Sequence, residues 1–171
     1  NGLVFYSVSK ESDYQTNMID GKYSDSGLGK LVRKVLESRS YAIADFAPYA
    51  PSQGEPAAFI ANPIIDEHGD INMVVALQLS RKAINNLMQK RIGMGETGET
   101  YLVGADKRMR SDSYLNPRER SVESSFEGTI AANGADTRAV RRALSGENGA
   151  ELIKNYEGKQ VLSAYQPVQI E

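Results

Sequence analysis

The clearest periodicity in the chain is an apolar stripe at Leu28, Leu31, Val32, Val35 and Leu36, with Lys30, Arg33, Lys34 and Glu37 on the other side. Spacing of i, i+3, i+4, i+7 and i+8 is one face of an α-helix, and Ser24 or Ser26 is placed to cap its N-terminus. Residues 3–8 (LVFYSV) form an unbroken β-branched and aromatic run, which predicts a strand covered on both faces. Residues 41–46 (YAIADF) predict another strand. Residues 47–55, with Pro48, Pro51 and Gly54, predict a loop. Residues 56–65 and 71–79 then read as a hairpin across the polar turn at 66–70. In its second strand Ile71, Met73, Val75, Leu77 and Leu79 alternate with Asn72, Val74, Ala76 and Gln78, so both faces are largely apolar and both are expected to be covered.

Ser80 is placed to cap a second helix, carrying Ile84, Leu87 and Met88 and running out at Ile92. Gly93, Gly95 and Gly98 then interrupt regular structure. Residues 99–105 (ETYLVGA) restart it as a strand that turns at Asp106-Lys107 into a short hairpin. Gly93-Met94-Gly95-Glu96-Thr97-Gly98 has the letters of a dinucleotide-binding loop, yet that loop requires a strand before it and a helix after it. Here the order is reversed, so the stretch is read as a linker. Residues 114–135 predict a loop with some helix. Asp136 is placed to cap a helix ending at Gly146, and residues 150–156 and 159–168 pair around Glu157-Gly158.

The two halves therefore repeat one order, helix then hairpin, with residues 1–92 as one module and 93–171 as a second. The chain opens and closes inside this pattern. Asn1-Gly2 reads as the turn of a hairpin whose first strand lies upstream, and the second half stops before the strand corresponding to residues 71–79. Both terminal strands and a long N-terminal helix are expected to lie outside the 171 residues.

Composition narrows the function classes. A net charge of -2 with scattered Lys and Arg gives no basic stripe for nucleic acid. No apolar run approaches the ~20 residues that span a bilayer. The chain has no cysteine, which removes thiol catalysis, disulfides and cysteine metal sites. Its single histidine, His68, stands in the turn Asp66-Glu67-His68-Gly69-Asp70. That cluster is read as a hairpin loop rather than a metal site, because metal binding needs several convergent ligands. No nucleophile motif accompanies it, so no enzyme activity, catalytic residue, metal or cofactor is expected.

Two stretches carry a resemblance. ADFAPYAPSQGEPAAFIANPIIDEHGDINMVVALQL, followed by a helix and GETGETYLVGADKRMRSDS, resembles a double Cache domain. The most specific part is G-E-T-G-E-x-Y-L-V followed by M-R-S-D. Such domains are the extracytoplasmic sensor regions of bacterial methyl-accepting chemotaxis proteins and sensor histidine kinases. The resemblance implies an α+β fold of two PAS-like modules, each an antiparallel sheet flanked by helices. It also implies a membrane-anchored, generally dimeric parent whose sensor projects into the periplasm, with a small molecule bound by the membrane-distal module.

Carried onto this chain, the distal pocket is expected between residues 41–79 and the loops at 10–27 and 46–55. Tyr49 matches a tyrosine that stands before the hairpin in that family, and Asp45, Phe46, Phe59 and Gln78 are candidate ligand residues by position. The Arg-x-Trp-Tyr signature of the amino-acid-binding branch is absent, and Gln78 stands where that branch has an aspartate. A neutral amide gives an ammonium no charge-assisted bond, so the ligand class stays open. Each candidate also has a structural reading: Phe46 and Phe59 as core, Asp45 as a carboxylate held by Arg33 or a backbone donor, Arg108 and Arg110 as a solvated or inter-module face. The alternative to ligand sensing is a structural or protein-interaction module of such a receptor.

Overall fold

A computed structural model of the chain describes residues 2–168. Its fold is α+β, with one three-stranded and one two-stranded antiparallel sheet and helices. The chain divides into two compact units, the first running to Leu79 and the second from Ser80.

In the first unit, α1 (Gly27–Ser38) follows the predicted stripe. Ser26 accepts from the Gly29 amide as N-cap, and Leu28, Leu31, Val32 and Val35 are buried. Burying such a side chain contributes about 1.5–3 kcal/mol, so packing rather than propensity fixes this helix. It lies on the sheet β1 (Ala42–Pro48), β2 (Pro56–Ile65) and β3 (Ile71–Gln78), ordered β1-β2-β3. The core joins α1 to Ala42, Ala57, Phe59 and Ala61 on one sheet face, with Met18, Tyr23 and Tyr49 closing the loop side. Small residues along β1 and β2 let the helix approach closely.

Two expectations for this unit fail. Residues 3–8 form no regular strand: Leu3 makes one bridge to Asn17, and Phe5, Tyr6 and Val8 are exposed. The segment pairs with the loop at 15–18, through bonds such as Val4 N–H to Thr16 O at 2.9 Å and Gln15 N–H to Val4 O at 3.0 Å. That ladder leaves the aromatic side chains outside. β3 is not covered on both faces either, since α1 lies on one face and Met73, Val75 and Leu77 are exposed on the other. Finally, Asn1 of the expected Asn1-Gly2 turn lies outside the described residues.

In the second unit, α2 (Arg81–Met88) begins at the predicted cap Ser80 and stops short of Ile92. Asn85 exchanges hydrogen bonds with Asp112, accepting from its amide at 2.8 Å and donating to its carboxylate at 2.7 Å. The 99–111 hairpin is reduced to one bridge, Val103 to Met109, with Arg110 N–H to Leu102 O beside it. Within residues 114–135 stand α3 (Val122–Glu127) and α4 (Ile130–Asn133). α5 (Arg138–Leu144) is capped by Thr137, not Asp136, because the Asp136 carboxylate turns to Lys107 and Arg141. α5 packs on the hairpin β4 (Gly149–Lys154) and β5 (Gln160–Tyr165), and its Val140 joins Met109 and Ala135 in a buried cluster.

Candidate functional site

The loops at 10–23 and 46–55 meet over the helix-bearing face of the first unit's sheet. Two successive turns, Tyr14 N–H to Glu11 O and Thr16 N–H to Asp13 O, both at 3.0 Å, fold the first loop tightly. The second ends β1 at Pro48 and enters a short 3-10 turn, Ala50–Ser52. Two side-chain bonds tie the loops together. Tyr49 OH donates to Asp13 Oδ2 at 2.6 Å, and Ser52 Oγ donates to Glu11 Oε2 at 2.8 Å. Ser12 and the Tyr23 hydroxyl share a further bond at 2.8 Å.

Asp13 is 9% exposed, and its Oδ1 is buried with no hydrogen-bond partner among the described residues. A buried carboxylate oxygen without a donor is destabilising. Burial first, then the bond to Asp13, raises the Tyr49 phenol far above its ordinary pKa, so Tyr49 remains a donor. Its ring meets Phe59 edge-on with centroids 4.9 Å apart.

Of the five candidate residues, three come together. Tyr49 stacks on Phe59, and Phe59 is the cross-strand partner of Gln78. Gln78 is exposed at its position on β3, the outer strand of the sheet. Asp45 and Phe46 depart from expectation because β1 carries a bulge: Ala44 pairs with Phe59 and Ala47 with Ala57, so both residues face Ala58 alone. Phe46 is buried there. Asp45 is exposed, accepts from the Phe46 amide at 2.7 Å, and lines an open groove of about 390 Å³ with Lys30 and Lys34. Asp45 is therefore not a buried carboxylate. Arg33 instead donates to Ser24 O at 2.7 Å and Ile19 O at 3.2 Å.

Asp13 was not among the sequence candidates. A single aspartate in a polar loop reads as solvated, whereas here it is buried and bonded to Tyr49 of a distant loop. The sequence signal available was the partnerless tyrosine Tyr49 itself, since a buried phenol needs an acceptor.

The second unit's motif residues have structural roles. Glu99 accepts from Ser113 Oγ at 2.6 Å and from the Tyr156 hydroxyl. Arg120 lies over the Tyr156 ring, 4.7 Å from its centroid. Arg91 donates to the carbonyls of Gly95, Glu96 and Gly98 at 2.6–2.9 Å and stacks on Tyr114. In the R-S-D run, Arg110 pairs with Asp106 at 2.9 Å, Ser111 accepts from the Leu102 amide, and Asp112 accepts from the Val122 amide. Arg110 is buried and packs on Phe126, so it is no solvated face. The glycine linker is followed by this hairpin and not by a helix.

His68 is exposed in its turn, and Asp66 Oδ1 accepts from the His68 and Asp70 amides at 2.9 Å. Among the described residues no three or more His, Cys, Asp or Glu side chains converge as metal ligands. None of their helices is long and apolar enough to cross a membrane. No protein-family model, curated protein or solved structure matches this chain.

Proposed function

We propose that this chain is the extracytoplasmic sensor region of a bacterial transmembrane signalling receptor, of double Cache type. In this reading two PAS-like modules are stacked in the parent, and the first binds a small molecule. Its ligand state is passed through the second module to a membrane helix. The observation that carries the reading is the loop layer over the first sheet. Two loops close on one another through Tyr49–Asp13 and Ser52–Glu11, and a buried carboxylate oxygen there has no donor among the described residues. A ligand that supplies the donor would stabilise the closed layer, which is how binding becomes a conformational signal. The helix-then-hairpin order of both units, α1 before β1 to β3 and α5 before β4 and β5, supports the two-module architecture.

One observation favours the alternative, a protein-interaction module. Tyr41, Ile60, Ile64, Val75 and Leu77 form an open apolar face on β2 and β3 and the entry to β1. Exposed apolar patches of this kind mark contact surfaces.

The test is a thermal-shift screen of the chain against amino acids, organic acids, amines, purines and sugars. A ligand at 100 times its Kd adds about 2.7 kcal/mol of stability. The sensor reading expects one class to raise Tm and the rise to vanish in Asp13→Asn. If no compound moves Tm, direct sensing fails and the interaction module takes its place.

A further inference from the structure

We infer that the open groove between α1 and β1 takes an extended peptide with acidic side chains at alternate positions, which adds as a strand to the free edge of β1. This goes beyond the sensor reading and uses neither Asp13 nor the loop layer. The backbone sets the mode of binding. In the order β1-β2-β3 one edge of β1 pairs with β2, and the other pairs with no strand among the described residues. An unpaired edge presents amide donors and carbonyl acceptors that an extended chain can complete. The bulge at Asp45-Phe46 confines the regular part of that edge to residues 42–44, so the added strand is short.

The groove, of about 390 Å³, has room for such a strand. One wall is β1, through Ile43, Ala44 and Ala47. The other is the α1 face Gly27, Lys30, Leu31 and Lys34, spaced i, i+3, i+4 and i+7. Gly27 stands opposite Ala44, and even a Cβ built on it would lie 4.0 Å from the alanine Cβ. Small side chains on both walls let another backbone approach.

Charge sets the sequence that fits. Lys30 and Lys34 are exposed, and neither makes an ion pair among the described residues. Like charges at i and i+4 repel one another, and an anionic partner turns that repulsion into attraction. The groove's own carboxylates are engaged elsewhere. Asp45 accepts from the Phe46 amide at 2.7 Å, and Asp25 adjoins the N-terminus of α1, whose dipole favours it. Four residues of helix rise about 6 Å, and alternate side chains on one face of a strand stand about 6.6 Å apart. Acidic residues at i and i+2 of the added strand therefore match the spacing of Lys30 and Lys34.

The probe is a capped octapeptide of alternating valine and glutamate, titrated at neutral pH into the isotope-labelled 171-residue chain. It is expected to shift the amides of residues 27–34 and 42–48 and to leave those of β3 unmoved. Replacing its glutamates by glutamine is expected to weaken binding roughly ten-fold. Methylating its backbone nitrogens is expected to weaken binding by a similar factor, because the strand bonds to β1 are lost. In the protein, Lys30→Gln combined with Lys34→Gln is expected to weaken the glutamate peptide roughly ten-fold. Tm is expected to stay in place in that variant, since both lysines are exposed. Binding that survives backbone methylation, or that glutarate reproduces at the same amides and affinity, would show a small-anion groove and overturn strand addition. Equal binding of the glutamine peptide, or no binding at millimolar peptide, would overturn the inference outright. None of these outcomes requires the amides of residues 11–23 to move, so the sensor reading stands or falls separately.

Discussion

The Tyr49 hydroxyl donates to Asp13 Oδ2 at 2.6 Å across a sequence separation of 36 residues. This one bond joins two loops that share no strand, and it is buried beneath both. The Tyr49 ring is also locked against Phe59 at 4.9 Å, so the hydroxyl is aimed by packing. Removing the hydroxyl leaves a buried carboxylate with neither oxygen paired. Tyr49→Phe keeps the ring and is expected to cost about 1–3 kcal/mol in urea unfolding, the penalty of an unmet buried group. Tyr49→Ala is expected to cost about 3–5 kcal/mol, because it also opens a cavity. No loss in Tyr49→Phe would mean that the hydroxyl contributes nothing.

Alkaline pH separates the buried phenols from the exposed ones. Burial first, then the Glu99 charge, pushes Tyr101 from 10.0 to about 12. Tyr49 and Tyr156 are likewise raised, chiefly by burial. A raised phenol pKa means the unfolded chain releases its proton first. Its contribution to stability is whole below pH 10 and is lost as pH climbs through the folded value. Phenolate absorbance is expected to leave three of the nine tyrosines silent until the chain unfolds. Smooth titration of all nine near pH 10 would contradict this.

Gly104 and Arg110 form a second tight relationship. A Cβ on Gly104 would fall on the Arg110 guanidinium, which pairs with Asp106 at 2.9 Å and packs on Phe126. Gly104→Ala is expected to destabilise by about 1–3 kcal/mol through overpacking. Adding Arg110→Ala to Gly104→Ala is expected to cost less than the sum of the two, since the clash disappears with the guanidinium. Additive losses in a double-mutant cycle would show that the two side chains are independent.

Arg91 ties the linker at 93–98 together, alongside the backbone bonds Met94 N–H to Arg91 O and Gly98 N–H to Met94 O. Arg91→Lys keeps the charge and loses the planar fork that reaches three carbonyls. Hydrogen exchange of amides 93–98 is expected to accelerate while the α2 amides stay protected. Unchanged exchange would assign the order to the glycines instead.

The open face of β3 gives a contrasting expectation. Leu77 is 63% exposed, so Leu77→Glu is expected to change the stability of this chain by less than about 0.5 kcal/mol. A loss of several kcal/mol would mean that this face is covered in solution.

Local signals carried much of the fold. The α1 stripe, the Ser80 cap and the hairpins around 66–70 and Glu157-Gly158 were legible because each depends on neighbouring residues. What could not be read depended on distant ones. The strand-like run at 3–8 bonds to the loop at 15–18. Asp136 lost the cap to Thr137 because Lys107, far along the chain, draws its carboxylate away. The bulge at Asp45-Phe46 has no glycine or proline to announce it, and it turned a candidate ligand residue out to solvent. Tyr49 and Phe59, both singled out in the sequence, meet edge-on. Asp13 was not singled out, since the tyrosine that bonds it stands 36 residues away.

The most direct test of ligand sensing in the first unit is an amide NMR titration of the isotope-labelled chain with the amine, amino acid, organic acid, purine and sugar pools. The account predicts that one pool shifts the amides of residues 11–23 and 46–55 together and leaves the β2–β3 turn at 66–70 unmoved. Shifts confined to other segments, or none with any pool, would contradict it.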